Sequence, residues 1–278
     1  MKFISSFIII SIVIFSLFFS LIFVSSKIFL HYDMEGLWIT YRPFFIIQIL
    51  VLFLAGIAIA LIWIYGGKKL SYIENEDWPG LASYMETRIL DKGRLSGKNL
   101  KLFLNSHFLS GDFETVKSSI PVIRNKNPDF FNKNRANLGY VYILTKEYRQ
   151  AADFFEDSCN TVKENPLLRF FYGYSLYASN QKEAAVKNLF PLLESYNPLF
   201  KLLSAYGIKR IMDLSFIFLG EEKKNIETSL EKIKKELKPG LTMKKSPVKA
   251  CFLKEQKEVY CPAIKPWYEK SLLWLKEE

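Results

Sequence analysis

Residues 138–155 read LGYVYILTKEYRQAADFF, and small residues stand in this stretch at fixed distances from large aromatic ones. Gly139 lies in the first half and Ala151 in the second, on either side of the polar break Thr145-Lys146-Glu147. Two helices joined by a tight turn approach closely only where their side chains are small, and bulky residues then fill the space around the contact. The stretch therefore predicts a helix hairpin.

The same spacing recurs along the chain. Gly139, Gly173 and Gly207 follow one another at intervals of 34 residues, and Ala151 and Ala185 are also 34 residues apart. A fixed period of this length is typical of stacked units, each of which buries its apolar face only against a neighbouring unit. The period predicts a short α-solenoid rather than an isolated pocket.

The letters inside each unit resemble the tetratricopeptide repeat (TPR). The middle unit carries the pattern in Leu138, Gly139, Tyr142, Tyr148, Ala151 and Phe155, with Pro166 arriving late, and the next unit carries it in Tyr172, Gly173, Leu176, Ala185 and Leu189. The preceding unit has Phe103, Gly111, Phe113, Val116, Ile120 and Pro128, but Leu104 and His107 replace the family's small and aromatic residues. The resemblance implies an all-α fold in which Gly139, Tyr142, Tyr148, Ala151, Phe155, Gly173 and Ala185 pack the repeats.

The resemblance also implies a partner groove along the first helices of successive units. The apolar candidates for this groove are Phe108, Tyr140, Ile143, Leu144, Tyr174 and Tyr177, which suit an apolar or aromatic segment of a partner protein. TPRs that hold a C-terminal carboxylate present lysine and asparagine here, and the matching positions are Lys101, Asn105 and Asn137. Leu167 and Phe171 stand where that pattern has lysine and arginine, so both kinds of partner segment stay open.

Two long apolar runs precede the repeats. Residues 3–24 contain no charge, and residues 43–65 are polar only at Gln48. Each run exceeds the roughly 20 residues that cross a bilayer, and the first is longer than the apolar region of a cleaved signal peptide. The sequence thus predicts a two-span transmembrane hairpin. Lys2 before the first run and Lys68-Lys69 after the second predict both termini on the inner side.

The C-terminal region is basic. Residues 232–270 contain 11 lysines and four glutamates, in a chain of net charge +10. Without an aromatic-basic recognition motif, this excess favours a surface facing anionic lipid over a nucleic-acid site. Short apolar stretches at 248–253 and 259–264 predict a small β-hairpin. The final helix, 265–278, is expected to pack back on the repeats, with a surface-lying amphipathic helix as the alternative.

No constellation for catalysis, metal binding or a cofactor is apparent in the sequence. The histidines, His31 and His107, stand far apart, and a zinc site needs about four ligands. Cys251 and Cys261 could face each other across the predicted β-hairpin, and we expect them to pair only in an oxidising compartment.

These observations divide the chain into a transmembrane anchor (1–69), a TPR-like helical domain (70–240) and a C-terminal extension (241–278). They predict a non-enzymatic adaptor or scaffold that binds a partner protein at the cytoplasmic face of a bacterial inner membrane. The alternative is a periplasm-facing assembly factor of an envelope machine, such as a flagellar motor or secretion system. Homo- and hetero-oligomers are both compatible with the sequence.

Overall fold

The structure, a computed structural model, describes most of the chain after residue 65. The described residues are 66–277 without 92, 94, 162–164, 215–217, 219 and 242–245, together with a few positions between 18 and 57. The chain divides into two compact units, Met1–Arg94 and Leu95–Glu278.

The described part of the chain is all-α. After helical residues at 66–74, the helices are α1 (Trp78–Glu86), α2 (Gly97–Ser110), α3 (Phe113–Lys126), α4 (Pro128–Lys133), α5 (Arg135–Leu144), α6 (Tyr148–Thr161), α7 (Pro166–Ala178), α8 (Lys182–Leu189), α9 (Pro198–Asp213), α10 (Gly220–Leu241), α11 (Pro247–Glu255) and α12 (Cys261–Lys276). A π-helical turn (Thr87–Asp91) follows α1, and a 3₁₀ turn (Phe190–Glu194) follows α8.

In the first unit, α1 begins at a well-defined cap. The Asp77 carboxylate accepts a hydrogen bond from the backbone N–H of Gly80 at 2.9 Å, and Pro79 occupies the first turn, where its missing N–H costs nothing. The Arg88 guanidinium then donates to the Tyr84 hydroxyl at 2.7 Å. These local bonds fix the two ends of the helix.

In the second unit, antiparallel hairpins stack in sequence as α2/α3, α5/α6 and α7/α8. Gly139 of α5 lies so close to α6 that an added Cβ would come within 2.5 Å of Phe155 and 2.6 Å of Phe154. A Cβ added to Gly173 of α7 would likewise lie 2.5 Å from the Leu189 side chain of α8. The two helices of each hairpin touch at these glycines because no side chain separates them.

The other residues assigned to repeat packing surround these contacts. Ala151, Phe155 and Ala185 are fully buried. Tyr142 packs against Phe154 with ring centroids 5.8 Å apart, and Tyr148 meets Tyr174 of the next hairpin edge-to-face at 6.5 Å. Packing therefore runs both within hairpins and between them.

The predicted β-hairpin at 248–264 is wrong. The region forms α11 and the beginning of α12, and no strand occurs anywhere in the described part of the chain. The Ser246 hydroxyl accepts a hydrogen bond from the N–H of Lys249, and Pro247 and Pro262 occupy first-turn positions that favour helix initiation. Cys251 and Cys261 are free thiols.

The predicted transmembrane hairpin is also corrected. Residues 3–24 and 43–65 lie for the most part outside the described residues, and none of the described helices is both long and apolar enough to cross a membrane. Helix α10 is long enough, with 22 residues, but its first turn carries Glu221 and Glu222 and its last turn carries Lys238. The prediction of an inner-membrane location with a cytoplasmic soluble domain depended on those two spans, so it is given up together with them.

Candidate protein-binding cleft

A cleft of about 1160 Å³ opens in the second unit between α2, α5 and the connection from α11 to α12. Helix α7 contributes Leu167 and Leu168 at one end. Six of the residues predicted from sequence for a partner groove line this cleft: Lys101, Asn105, Phe108, Asn137, Tyr140 and Leu144.

Helix α2 presents Lys101 and Asn105 to the cleft because its opposite face is anchored. Leu100 and Phe103 are fully buried, and Leu104 is nearly so. Residues four apart on a helix lie on the same face, so the ammonium of Lys101 and the amide of Asn105 stand one turn apart along the wall. The α2 wall of the cleft therefore presents two hydrogen-bond donors, one helical turn apart.

A series of packed aromatic rings forms the floor of the cleft, where Phe108, Tyr140 and Tyr260 line it and the buried Phe171 supports them from below. Phe108 stacks on Tyr140 with centroids 6.4 Å apart and ring planes inclined by 14°, and Tyr140 stacks on Phe171 at 6.3 Å. Phe171 in turn meets Tyr260 edge-to-face at 5.5 Å. Each aromatic pair of this kind stabilises the fold by about 0.5–1.5 kcal/mol beyond the area that it buries, and these contacts hold the rings of the floor in place.

The phenols in the floor stay neutral. Burial raises the pKa of Tyr140 to about 12, so its hydroxyl remains protonated at physiological pH. Burial also raises the pKa of Tyr260, and its hydroxyl donates a hydrogen bond to the Glu255 carboxylate. The floor thus carries no negative charge of its own.

One polar contact crosses the cleft. The Asn137 side-chain amide donates to the Glu258 carboxylate at 3.3 Å, joining α5 to the α11–α12 connection. The Asn137 Oδ1 atom is buried and has no hydrogen-bond partner among the described residues. The unused hydrogen-bonding capacity of Asn137 therefore includes an acceptor, its Oδ1 atom, while its amide N–H donates to Glu258.

Three further groove candidates lie outside the cleft. Ile143 is 7 % exposed and belongs to the hydrophobic core. Tyr174 and Tyr177 pack edge-to-face against Trp267 of α12, with ring centroids at 5.5 and 6.0 Å. The C-terminal helix of the chain itself contacts the surface that the sequence assigned to a partner at these two tyrosines.

The cleft also contains charged residues that the sequence analysis did not assign to a site: Lys133, Arg135, Lys257, Glu258 and Lys265. The lysine excess at 232–270 was the only signal for two of them, and nothing in that excess indicated which lysines face α2 and α5. Arg135 is 4 % exposed, and its guanidinium lies over the Phe131 ring at 5.1 Å. Burial lowers the pKa of Arg135.

The titratable groups elsewhere form packing contacts. His107, where the TPR pattern has an aromatic, is 1 % exposed, lies 4.3 Å from the Phe103 ring centroid, and places Nδ1 3.0 Å from the Asp112 carboxylate. Burial raises the pKa of Cys159 to about 11. Among the described residues, no group of three or more His, Cys, Asp or Glu side chains is arranged to hold a metal ion.

The described part of the chain is all-α, and its second unit contains stacked helix hairpins beside a cleft rich in basic side chains. Residues 115–277 match a family described as "Uncharacterised Treponema protein", and because this match covers more than half of the chain, the chain belongs to that family. The matched range contains α5 and the α11–α12 connection, while α2 precedes it.

A relative from Treponema pallidum (strain Nichols), described as an uncharacterized protein, is 24% identical over 174 residues. The aligned region covers 62% of this chain and 54% of the relative, so the chain spans about half the length of the relative that it matches. No solved structure matches the chain.

Proposed function

We propose that this chain is a protein-binding module whose stacked helix hairpins hold a segment of a partner protein in the cleft between α2, α5 and the α11–α12 connection. The cleft carries the proposal, because it brings together donor groups on one wall and a rigid aromatic floor. Its volume of about 1160 Å³ is at the upper limit of ordinary small-molecule pockets, which measure roughly 300–1,000 Å³.

The chemistry of the lining favours recognition over catalysis. Lysine and asparagine side chains donate hydrogen bonds, and aromatic ring faces supply apolar contact area, which together suit a peptide segment. The resemblance to TPRs supports the same use, since first helices of such units form the groove for a partner. The module then acts as an adaptor or scaffold, and we assign it no reaction.

The test is a pull-down from an extract of the native host that compares three forms of the full chain. The Lys101→Ala/Asn105→Ala double variant removes both donors from the α2 wall, and Lys187→Ala removes an exposed lysine that does not line the cleft. We expect a protein retained by the wild type and by Lys187→Ala to be lost from the double variant.

A photo-crosslinker in place of Asn105 then identifies the protein that contacts the cleft. The same crosslinker in place of Lys187 is the matched control. If the double variant retains the same proteins as the wild type, the cleft is not the binding site and the proposal fails.

A further inference from the structure

The charges around the cleft are strongly unequal. Five basic side chains line it, namely Lys101, Lys133, Arg135, Lys257 and Lys265, against the single carboxylate of Glu258. A concave surface with one sign of charge concentrates the electrostatic field and attracts groups of the opposite sign. The cleft therefore favours a negatively charged occupant.

Three of these lysines are not neutralised within the protein. Lys101, Lys133 and Lys257 form no ion pair with any other described residue, and Lys265 approaches only Glu269 on its own helix, at 3.9 Å. Other lysines of the same unit do find carboxylates, as Lys201 does with Glu236 at 2.7 Å. Lysines without an ion pair to another described residue, such as Lys187, also occur elsewhere in the unit, so it is the grouping of Lys101, Lys133 and Lys257 around one concave surface that favours an anionic occupant.

The apolar part of the cleft favours an occupant that also carries apolar side chains. Phe108 and Phe113, both half-buried, and Leu109, which is 59% exposed, line the cleft together with the lysines. An aliphatic or aromatic side chain that covers this surface gains about 25 cal/mol per Å² of apolar area buried. A matching segment needs carboxylates and bulky apolar side chains in close succession.

The Asn137–Glu258 contact shows how the cleft accommodates a carboxylate. The Glu258 side chain is held at the base of the lysine group by a single amide hydrogen bond of 3.3 Å. No lysine forms an ion pair with it among the described residues. The basic groups therefore remain available to carboxylates that come from outside the chain.

We propose that the partner segment is acidic and apolar in alternation: side-chain carboxylates meet Lys101, Lys257 and Lys265, while aromatic or aliphatic side chains cover Phe108 and Leu109. This inference rests on the proposed function, because it specifies the partner of the same cleft. It also makes Glu258 an internal competitor, since its carboxylate occupies part of the space and charge that the segment uses.

The experiment measures binding of fluorescein-labelled peptides to the full chain by fluorescence anisotropy. The probe is a peptide of about a dozen residues in which Asp and Glu alternate with Leu and Phe, with its C-terminus amidated so that only side-chain carboxylates are present. Its matched controls replace Asp and Glu by Asn and Gln, or by Lys. We expect the acidic peptide alone to bind, with an affinity that falls as salt is raised, because exposed charges are screened.

Variants locate the binding site. We expect Lys257→Ala/Lys265→Ala to weaken binding by roughly 2- to 30-fold, at about 1.4- to 5-fold for each exposed ion pair. Glu258→Gln is expected to strengthen binding by about twofold or more, because it removes a like charge from the cleft. Lys187→Ala is the matched lysine control and should leave the affinity unchanged. Circular dichroism verifies that each variant remains folded.

The outcomes separate this inference from the proposed function. If the Asn/Gln peptide binds as tightly as the acidic one, or the lysine peptide binds better, the partner segment is not acidic although the cleft still binds peptides. If none of the peptides binds, the acidic class is rejected, and the pull-down with the Lys101→Ala/Asn105→Ala variant decides the proposed function separately. If Glu258→Gln weakens binding, Glu258 is not a competitor and the inferred arrangement is wrong.

Discussion

Replacing Trp267 by alanine should release the C-terminal helix from the hairpin stack. The Trp267 ring meets four other rings, those of Phe170, Tyr174, Tyr177 and Tyr206, with centroids between 5.5 and 6.2 Å away. All four contacts are edge-to-face, which is a favourable geometry for aromatic rings. The Arg210 guanidinium also lies over the Trp267 ring at 5.7 Å.

The size of the effect follows from these contacts. Large-to-small substitutions of a buried tryptophan cost about 3–5 kcal/mol, and four aromatic pairs at about 0.5–1.5 kcal/mol each account for a loss of that size. Because Trp267 is only half-buried, we expect Trp267→Ala to lower the free energy of unfolding by about 3 kcal/mol. Trp267→Phe keeps a ring in place and should cost about half as much.

The assay is urea unfolding of the full chain, followed by circular dichroism at 222 nm. With an m-value of about 1–3 kcal/mol/M, a loss of about 3 kcal/mol moves the midpoint by about 1 M or more. Leu273→Ala is the matched control, since Leu273 lies on the same helix and is 62% exposed, and surface changes of this kind stay within about 0.5 kcal/mol. A loss below about 1 kcal/mol for Trp267→Ala, or one equal to that of Leu273→Ala, would refute the reasoning.

Three further outcomes are expected. Gly139→Ala should lower the free energy of unfolding by about 1–2 kcal/mol despite the better helix propensity of alanine, since its Cβ would lie 2.5 Å from Phe155. A Cβ at Gly97 would make only an ordinary contact with Phe130 at 3.7 Å, so Gly97→Ala should not destabilise the chain in the same urea titration. Burial pushes the pKa of Asp112 up, but hydrogen bonds from the Thr115 side chain and N–H, with the neighbouring His107, outweigh it and leave the pKa lowered. The stability that this gives is present above the ordinary pKa of 3.8 and is lost as pH falls through the lowered value, so thermal melts between about pH 5 and 2 should show a smaller loss for Asp112→Asn than for the wild type. Burial raises the pKa of Cys159 to about 11, so its thiol should resist iodoacetamide at pH 8 in the native chain and react once urea is added. Mass spectrometry measures the labelling, and rapid labelling of Cys159 in the folded chain would contradict its burial.

The repeated hairpins could be predicted from the sequence because their signals are local. Gly139 and Ala151 are separated by 12 residues, and the turn between them brings their helices together without help from the rest of the chain. The short helix α4 was missed because Pro128 was read as the end of a repeat. The Asn127 side chain accepts a hydrogen bond from the N–H of Phe130 at 3.0 Å and begins a new helix there instead.

The C-terminal region could not be predicted in the same way. The apolar spacing at 248–253 fits a strand as well as a helix. The helix signals are Ser246, just before the first apolar stretch, and Pro262, inside the second. Short apolar runs do not distinguish the two structures by periodicity, so the capping residues decided the outcome.

The candidate site was predictable on one side only. Lys101, Asn105 and Asn137 lie on helices whose faces follow from the repeat, so their presence in the cleft could be inferred. The opposite wall comes from Lys257 and Glu258, which a contact across 121 residues of sequence brings to Asn137. No periodic pattern encodes such a contact.

That long-range wall has a consequence for cooperativity. A plain stack of hairpins unfolds in nearly independent steps, because each unit touches only its immediate neighbours. Here α12 bridges α7 and α9 through Trp267, and the α11–α12 connection reaches back to α5, so loss of the last helix exposes two hairpins and α9 at once. Amide protons of α5 and α9 should therefore exchange with solvent through one common opening event. Under force or in denaturant, these helices should unfold together rather than one hairpin at a time.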